Sequence, residues 1–161
     1  MSIDLVRIDD RLIHGQVVTT WVKQNNIGQI LIINDLIAKD EVQKSVFDLM
    51  APQDVNVRTF GVEEFIQITK KAQIKRKTLL LLTNPKDVLE LKKGGVEFSK
   101  LNLGGMKYTA DRKQYTKAIS MTEEEKAQLK ELADSKVEIS VQMIPSDKAI
   151  IFSELVEMEG R

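Results

Sequence analysis

The chain has 161 residues, 42% hydrophobic and 30% charged, which suits one globular domain with a sizeable core. Lys plus Arg and Asp plus Glu both number 24, so the formal net charge is zero and no broad attraction to nucleic acid or anionic lipid is expected, a local patch aside. There is no cysteine and one histidine, which excludes disulfides, thiolate catalysis, Cys-ligated metals and multi-histidine metal centres; no cofactor is expected.

Met1-Ser2-Ile3-Asp4 lacks the basic and apolar regions of a signal peptide, and no apolar run reaches membrane-span length. A cytoplasmic protein without direct membrane insertion is the expectation. Ile3, Leu5, Val6 and Ile8 predict a first strand. Val17, Val18, Trp21 and Val22 then recur at helical spacing, with Asn25-Asn26 and Gly28 as stop signals. Ile30-Leu31-Ile32-Ile33 is a β-branched run expected of a strand buried on both faces. Val42, Val46, Leu49 and Met50 mark a helix that ends before Pro52, and Val55, Val57 and Phe60 a weaker strand. Val62, Phe65, Ile66, Thr69 and Ala72 form one helix face. Lys75-Arg76-Lys77 reads as a solvated turn before the strand Thr78–Leu82.

Asn84-Pro85 is a cap and first turn for the helix of Val88, Leu89 and Leu91. Leu101-Asn102-Leu103 is a short strand ending at Gly104-Gly105, and Tyr115 to Met121 is read as another. Thr122-Glu123-Glu124-Glu125 has the capping-box pattern ahead of Leu129, Leu132 and Ala133. Val137, Ile139 and Val141 alternate with polar residues, and the segment through Leu155 packs back as a short helix or strand. The alternation predicts a single-domain α/β fold over 1–161: an open, doubly wound, mainly parallel sheet with helices on both faces.

In a parallel sheet the strand C-termini share one edge. Asp9-Asp10, Asn34-Asp35, Thr83-Asn84 and Gly104-Gly105 should therefore surround one crevice, with His14 facing it. Asn34, Asp35, Thr83 and Asn84 read better as caps than as ligands. His14 lies in a strand–turn–helix connection, where unpaired helix N–H groups favour anions. Arg11 adds a planar cation that grips oxyanions, and Gly15 allows close backbone approach. The expected site is therefore a histidine that carries or handles phosphate. His14, Arg11 and Asp10 are its candidate catalytic residues, and Gly15, Gln16, Gly104 and Gly105 its phosphate-binding residues. Either Asp9 or Asp10 could orient the imidazole or secure Arg11; Asp10 is favoured for proximity.

Arg7-Ile8-Asp9-Asp10-Arg11-Leu12-Ile13-His14-Gly15-Gln16-Val17 resembles the active-site segment of the enzyme IIB components of the mannose/fructose/sorbose branch of bacterial sugar phosphotransferase systems. Asn34-Asp35, Leu103-Gly104-Gly105-Met106 and Gln142-Met143-Ile144-Pro145-Ser146-Asp147 fit later landmarks of that family, so the resemblance spans essentially the whole chain. It implies a protein-phosphohistidine–sugar phosphotransferase. His14 would accept phosphate at Nδ1 from a IIA donor protein and pass it to a sugar entering through the IIC and IID membrane partners, which would recruit the chain to the inner membrane face. Arg11 matches the arginine that steadies the phosphate.

Two other readings compete. A receiver-type signalling module would use Asp9-Asp10 with an acceptor aspartate at the end of the third strand, but Val57-Arg58-Thr59-Phe60 has no carboxylate. A phosphatase or hydrolase using His14 with Asp10 would need a deep substrate pocket.

Overall fold

A computed structural model describes residues 3–157; Met1-Ser2 and the C-terminal end of the expected 1–161 domain lie outside the described residues. Chain order begins β1 (Ile3–Asp9), α1 (Val17–Asn25), β2 (Gln29–Ile33), α2 (Asp35–Ala38), α3 (Glu41–Leu49), β3 (Asn56–Phe60), α4 (Val62–Lys71) and β4 (Thr78–Leu82). It continues with α5 (Pro85–Lys93), β5 (Lys100–Gly105), β6 (Lys113–Gln114), β7 (Ser120–Met121), α6 (Glu123–Asp134), β8 (Glu138–Val141), β9 (Ile150–Ile151) and α7 (Phe152–Glu157).

Seven strands form one sheet in the order β3-β2-β4-β1-β5-β8-β9, parallel except where β9 runs against β8. The interior β4, beside the central β1, is buried along its whole length, as a strand covered on both faces must be. Alternate residues serve opposite layers. Val6, Ile8, Leu80 and Leu82 meet Phe65, Val88, Leu91, Leu129 and Leu132 on one face. Leu5, Ile30, Ile32, Leu79 and Leu81 meet Val18, Trp21, Val22 and Ile37 on the other. The expected open α/β fold is therefore the one observed.

The caps predicted at Asn34, Asn84 and Thr122 form. The Asn34 side chain accepts from the Leu36 and Ile37 amides, Asn84 from that of Asp87, and Thr122 and Glu125 form a capping box. Asp35 reaches forward to accept from the Val62 amide at the start of α4. Two of the four strand-end pairs, Asn34-Asp35 and Thr83-Asn84, thus serve helix ends and connections, Thr83 by accepting from the side-chain amides of the two capping asparagines.

One segment differs from the sequence reading, and the surroundings of one predicted helix lay outside it. The strand expected over Tyr115–Met121 is broken, because the Thr116 hydroxyl accepts from the Ala118 and Ile119 amides and turns the chain. A small hairpin of β6 and β7 results. The apolar residues of α3 do not enter the core: Val42 is 74% and Leu49 88% exposed, and Val46 and Met50 also face outward. This helix lies at the sheet margin, against β3 and α2, and only Phe47 packs toward the core.

The contrast gives a direct test. Leu80→Ala, at a position with no solvent exposure, is expected to destabilise by about 2–5 kcal/mol in urea unfolding. Leu49→Gln is expected to change stability by no more than about 0.5 kcal/mol.

Candidate functional site

The connections leaving β1 and β5 diverge. From β1 the chain passes through α1 toward β2 on one side, and from β5 it passes through α6 toward β8 on the other. Neighbouring strands whose connections part in this way leave a crevice at their C-terminal ends. Here that crevice is a cleft of about 280 Å³ lined by Asp9, Asp10, Arg11, Gly105, Lys107 and Lys117, among others.

Its foundation is a buried charge. Arg7 has no solvent exposure and Asp9 has 1%, and the Arg7 guanidinium stands 3.1 Å from Asp9 Oδ2. Residues two apart in a strand share a face, so the pair follows directly from β1 geometry. Arg7 also donates to Asn102 Oδ1 and to the Gln142 carbonyl, and lies 5.3 Å from the centre of the Trp21 ring. Burial pulls the Arg7 guanidinium below its usual pKa, while the Asp9 carboxylate opposes that shift. Trp21 in turn donates to the Met143 carbonyl, and Gln142 donates to the carbonyls of Pro145 and Asp147. The 142–147 segment is thereby fastened to the underside of the site.

The glycines of β5 make room for these side chains. A methyl at Gly104 would lie 2.1 Å from the Arg7 guanidinium carbon, and one at Gly105 3.0 Å from Asp9 Oδ1. Gly104, expected among the phosphate-binding residues, is buried, with Arg7 filling the space beside its Cα, and is not among the residues that line the cleft. Gly105 does line the cleft.

Asp9 is the hub of the loop above. Oδ1 accepts from the Arg11 amide at 3.0 Å, and Oδ2 lies 2.9 Å from His14 Nε2. The chain turns tightly, with the Leu12 amide donating to the Asp9 carbonyl. Leu12 adopts φ 55°, a left-handed conformation that costs a non-glycine residue about 1 kcal/mol or more. Its side chain and that of Ile13 are buried against α1 and the sheet, and this packing stabilises the strained turn. His14 follows these two anchors, partly exposed at 18%.

A carboxylate only accepts, so Nε2 carries the proton toward Asp9 and Nδ1 keeps its lone pair. The favoured role for Asp10 is thus corrected: Asp9, pointing inward from the strand, touches the imidazole. Asp10 starts the turn and points to the other wall, accepting from the Lys107 amide and pairing with Arg112 at 3.4 Å. The phosphatase pairing of His14 with Asp10 is therefore not present.

Arg11 is 59% exposed and only 3.9 Å from Asp9 Oδ1, so its guanidinium is loosely held beside the cleft. Gly15 (φ +50°) and Gln16 follow, both exposed. α1 starts at Val17, three residues after His14, and Gln16 supplies no side-chain cap to it. The amides of its first turn therefore face the region of the histidine loop without a side-chain acceptor from the cap.

A family model described as the sorbose-subfamily IIB component of the phosphotransferase system matches residues 3–161. The chain belongs to that family. It is a phosphoryl carrier in sugar uptake and a sugar phosphotransferase component. The sorbose-specific EIIB component of Lacticaseibacillus casei is 34% identical, with 100% of this chain and 99% of the relative aligned. The crystal structure of the IIBSor domain of the Klebsiella pneumoniae sorbose permease superposes with a TM-score of 0.92 at 35% identity, covering 98% of this chain and 97% of that one. The mannose-specific EIIAB component of Escherichia coli strain K12 is 34% identical over 97% of this chain, which spans 49% of that longer protein. In general, a IIB component works with a IIA protein and with membrane components, and the fused EIIAB relative embodies the first link. No helix among the described residues is long and apolar enough to cross a membrane.

Gly104→Ala is expected to displace the buried guanidinium and lower stability by about 2–3 kcal/mol in chemical denaturation. A change within about 0.5 kcal/mol, the scatter of neutral surface substitutions, would show that the Gly104 cradle is dispensable.

Proposed function

We propose that His14 Nδ1 is the phosphoryl-accepting atom of this carrier, taking the group from a phosphohistidine of a IIA partner and delivering it to a sugar. The observation that carries this reading is the contact between Asp9 and His14 Nε2. It leaves Nδ1 as the nucleophile and aims the ring from a carboxylate that is itself fixed by Arg7.

In the first step the Nδ1 lone pair forms a P–N bond as the donor's P–N bond breaks and its electron pair returns to the donor imidazole. The His14 ring gains positive charge as this happens, and the Asp9 carboxylate lies 2.9 Å from the proton-bearing nitrogen to balance it. Phosphoryl transfer depends mainly on positioning and charge stabilisation. Arg11 supplies a mobile cation, and the amides of Gly15 and Gln16 supply neutral donors at the rim. In the second step a sugar hydroxyl oxygen forms the P–O bond, the P–N pair returns to Nδ1, and the hydroxyl proton passes to a base on the acceptor side.

The partners that fit this scheme are a IIA donor and IIC and IID membrane components, which would recruit the chain to the inner membrane face and select the sugar. A shallow site suits this traffic, because two partners must reach His14 in turn. The whole chain, 1–161, would act as one IIB domain.

His14→Ala is expected to take no label from a phosphorylated IIA protein while keeping the wild-type circular dichroism spectrum. Labelling at the wild-type level would place the acceptor elsewhere. Arg11→Lys retains charge but loses the planar fork, and is expected to lower the transfer rate by about 2–4 kcal/mol of transition-state stabilisation in rapid-mix assays. A rate within about twofold of wild type would make Arg11 peripheral.

A further inference from the structure

The two walls of the crevice are joined by residues that never touch His14. The Asp10 amide donates to the Gly105 carbonyl at 3.0 Å, and the Asp10 carboxylate accepts from the Lys107 amide. The loop after β1 is thus stitched to the loop after β5 at the place where their connections part.

Arg112 completes the stitch. Its NH1 donates to the Lys107 carbonyl at 2.9 Å and lies 3.4 Å from Asp10 Oδ2. Its Nε and NH2 form a two-pronged pair with Glu125 at 3.0 and 2.8 Å. Glu125 Oε1 also accepts from the Thr122 amide in the capping box of α6, so the far end of the network is anchored on a helix. The Arg112 side chain is 13% exposed, and the charges of Glu125 and Asp10 outweigh the effect of burial on its guanidinium, raising its pKa. One arginine thereby spans a helix start, the segment leading to β6 and the histidine turn. Lysine could not replace it, because an ammonium has no fork to grip Glu125 while reaching Asp10.

The segment so fixed carries Lys107 and Lys117, which line the cleft together with Arg11. We infer that Arg112 is a positioning residue for phosphoryl transfer: through Asp10 and Lys107 it sets the separation of the crevice walls and holds the second, lysine-bearing wall in place. The hydrogen bonds of Arg112 go to Glu125, Lys107 and Asp10, and none reaches His14. This inference rests on His14 being the acceptor.

The test compares Arg112→Gln with wild type in two measurements. In steady-state transfer from a phosphorylated IIA protein, kcat is expected to fall about tenfold, with KM for the donor changing less than about twofold, because alignment and not docking is impaired. In the unphosphorylated proteins, amide hydrogen exchange is expected to speed up by about tenfold or more at Lys107 and across Asp10–His14, while the β4 amides keep their wild-type protection. A fall in kcat below about threefold, or a loss carried by KM, would overturn the proposal. So would unchanged exchange at Lys107 and in the turn.

If Arg112→Gln fails to fold, Asp10→Asn tests the same link from the other end and must show the same kcat loss and the same pattern of exchange. Where both fold, the double variant should be no slower than the slower single one, and additive losses would sink the coupling. Should wild type take no label at His14, the acceptor reading fails by itself. The exchange measurement then still decides whether Arg112 governs the walls.

Discussion

The Arg7–Asp9 pair sits where water does not reach, and a buried ion pair destabilises a fold unless further hydrogen bonds complete it. Here Asn102, the Gln142 carbonyl and the Trp21 ring complete the arginine, and the Arg11 amide and His14 complete the carboxylate. These partners come from four separate parts of the chain. Satisfying one buried charge therefore brings β5, the 142–147 segment, α1 and the histidine turn to fixed positions around the end of β1. The site is precise because the core needs it to be. An imidazole on an exposed loop would otherwise sample several rotamers, whereas this one leans on a carboxylate that cannot move without stranding Arg7.

The same economy explains the glycines. Gly104 and Gly105 stand on the strand beside β1, and the side chains of Arg7 and Asp9 fill the spaces above them. Their smallness makes room for the buried pair of the neighbouring strand. The strained turn at Leu12 has a related logic. Its left-handed backbone is stabilised by buried packing of Leu12 and Ile13, so hydrophobic free energy from the layer beneath holds the conformation that presents His14. The loop that presents His14 thus rests on a scaffold that over-determines its conformation.

Much of this was legible in the sequence, and the exceptions have physical reasons. The β-branched runs, the caps at Asn34, Asn84 and Thr122, and the strand-to-helix placement of His14 are local signals, and local signals fixed the fold class and the site's edge of the sheet. Asp9 and Arg7 were harder. An arginine and an aspartate two apart inside Leu5-Val6-Arg7-Ile8-Asp9 point to one face of a strand buried on both sides, and that is the signal that could have revealed a buried pair. Proximity in sequence favoured Asp10 instead, but strand alternation decides which carboxylate points inward. Arg112 carried no local signal, since its partners Asp10 and Glu125 are 102 and 13 residues away. The helix marked by Val42, Val46 and Leu49 forms, but its outward face was not legible, because helical periodicity reports an apolar stripe and not what the stripe meets.

The central claim is that Asp9 occupies Nε2 and so assigns the chemistry to Nδ1. It is tested most directly by nitrogen-15 NMR of protein carrying labelled histidine, phosphorylated through a IIA donor. Phosphate on His14 Nδ1, with Nε2 protonated and coupled to the Asp9 contact, is the predicted result. Phosphate on Nε2 would contradict it, because the ring could then not be held by Asp9 during transfer.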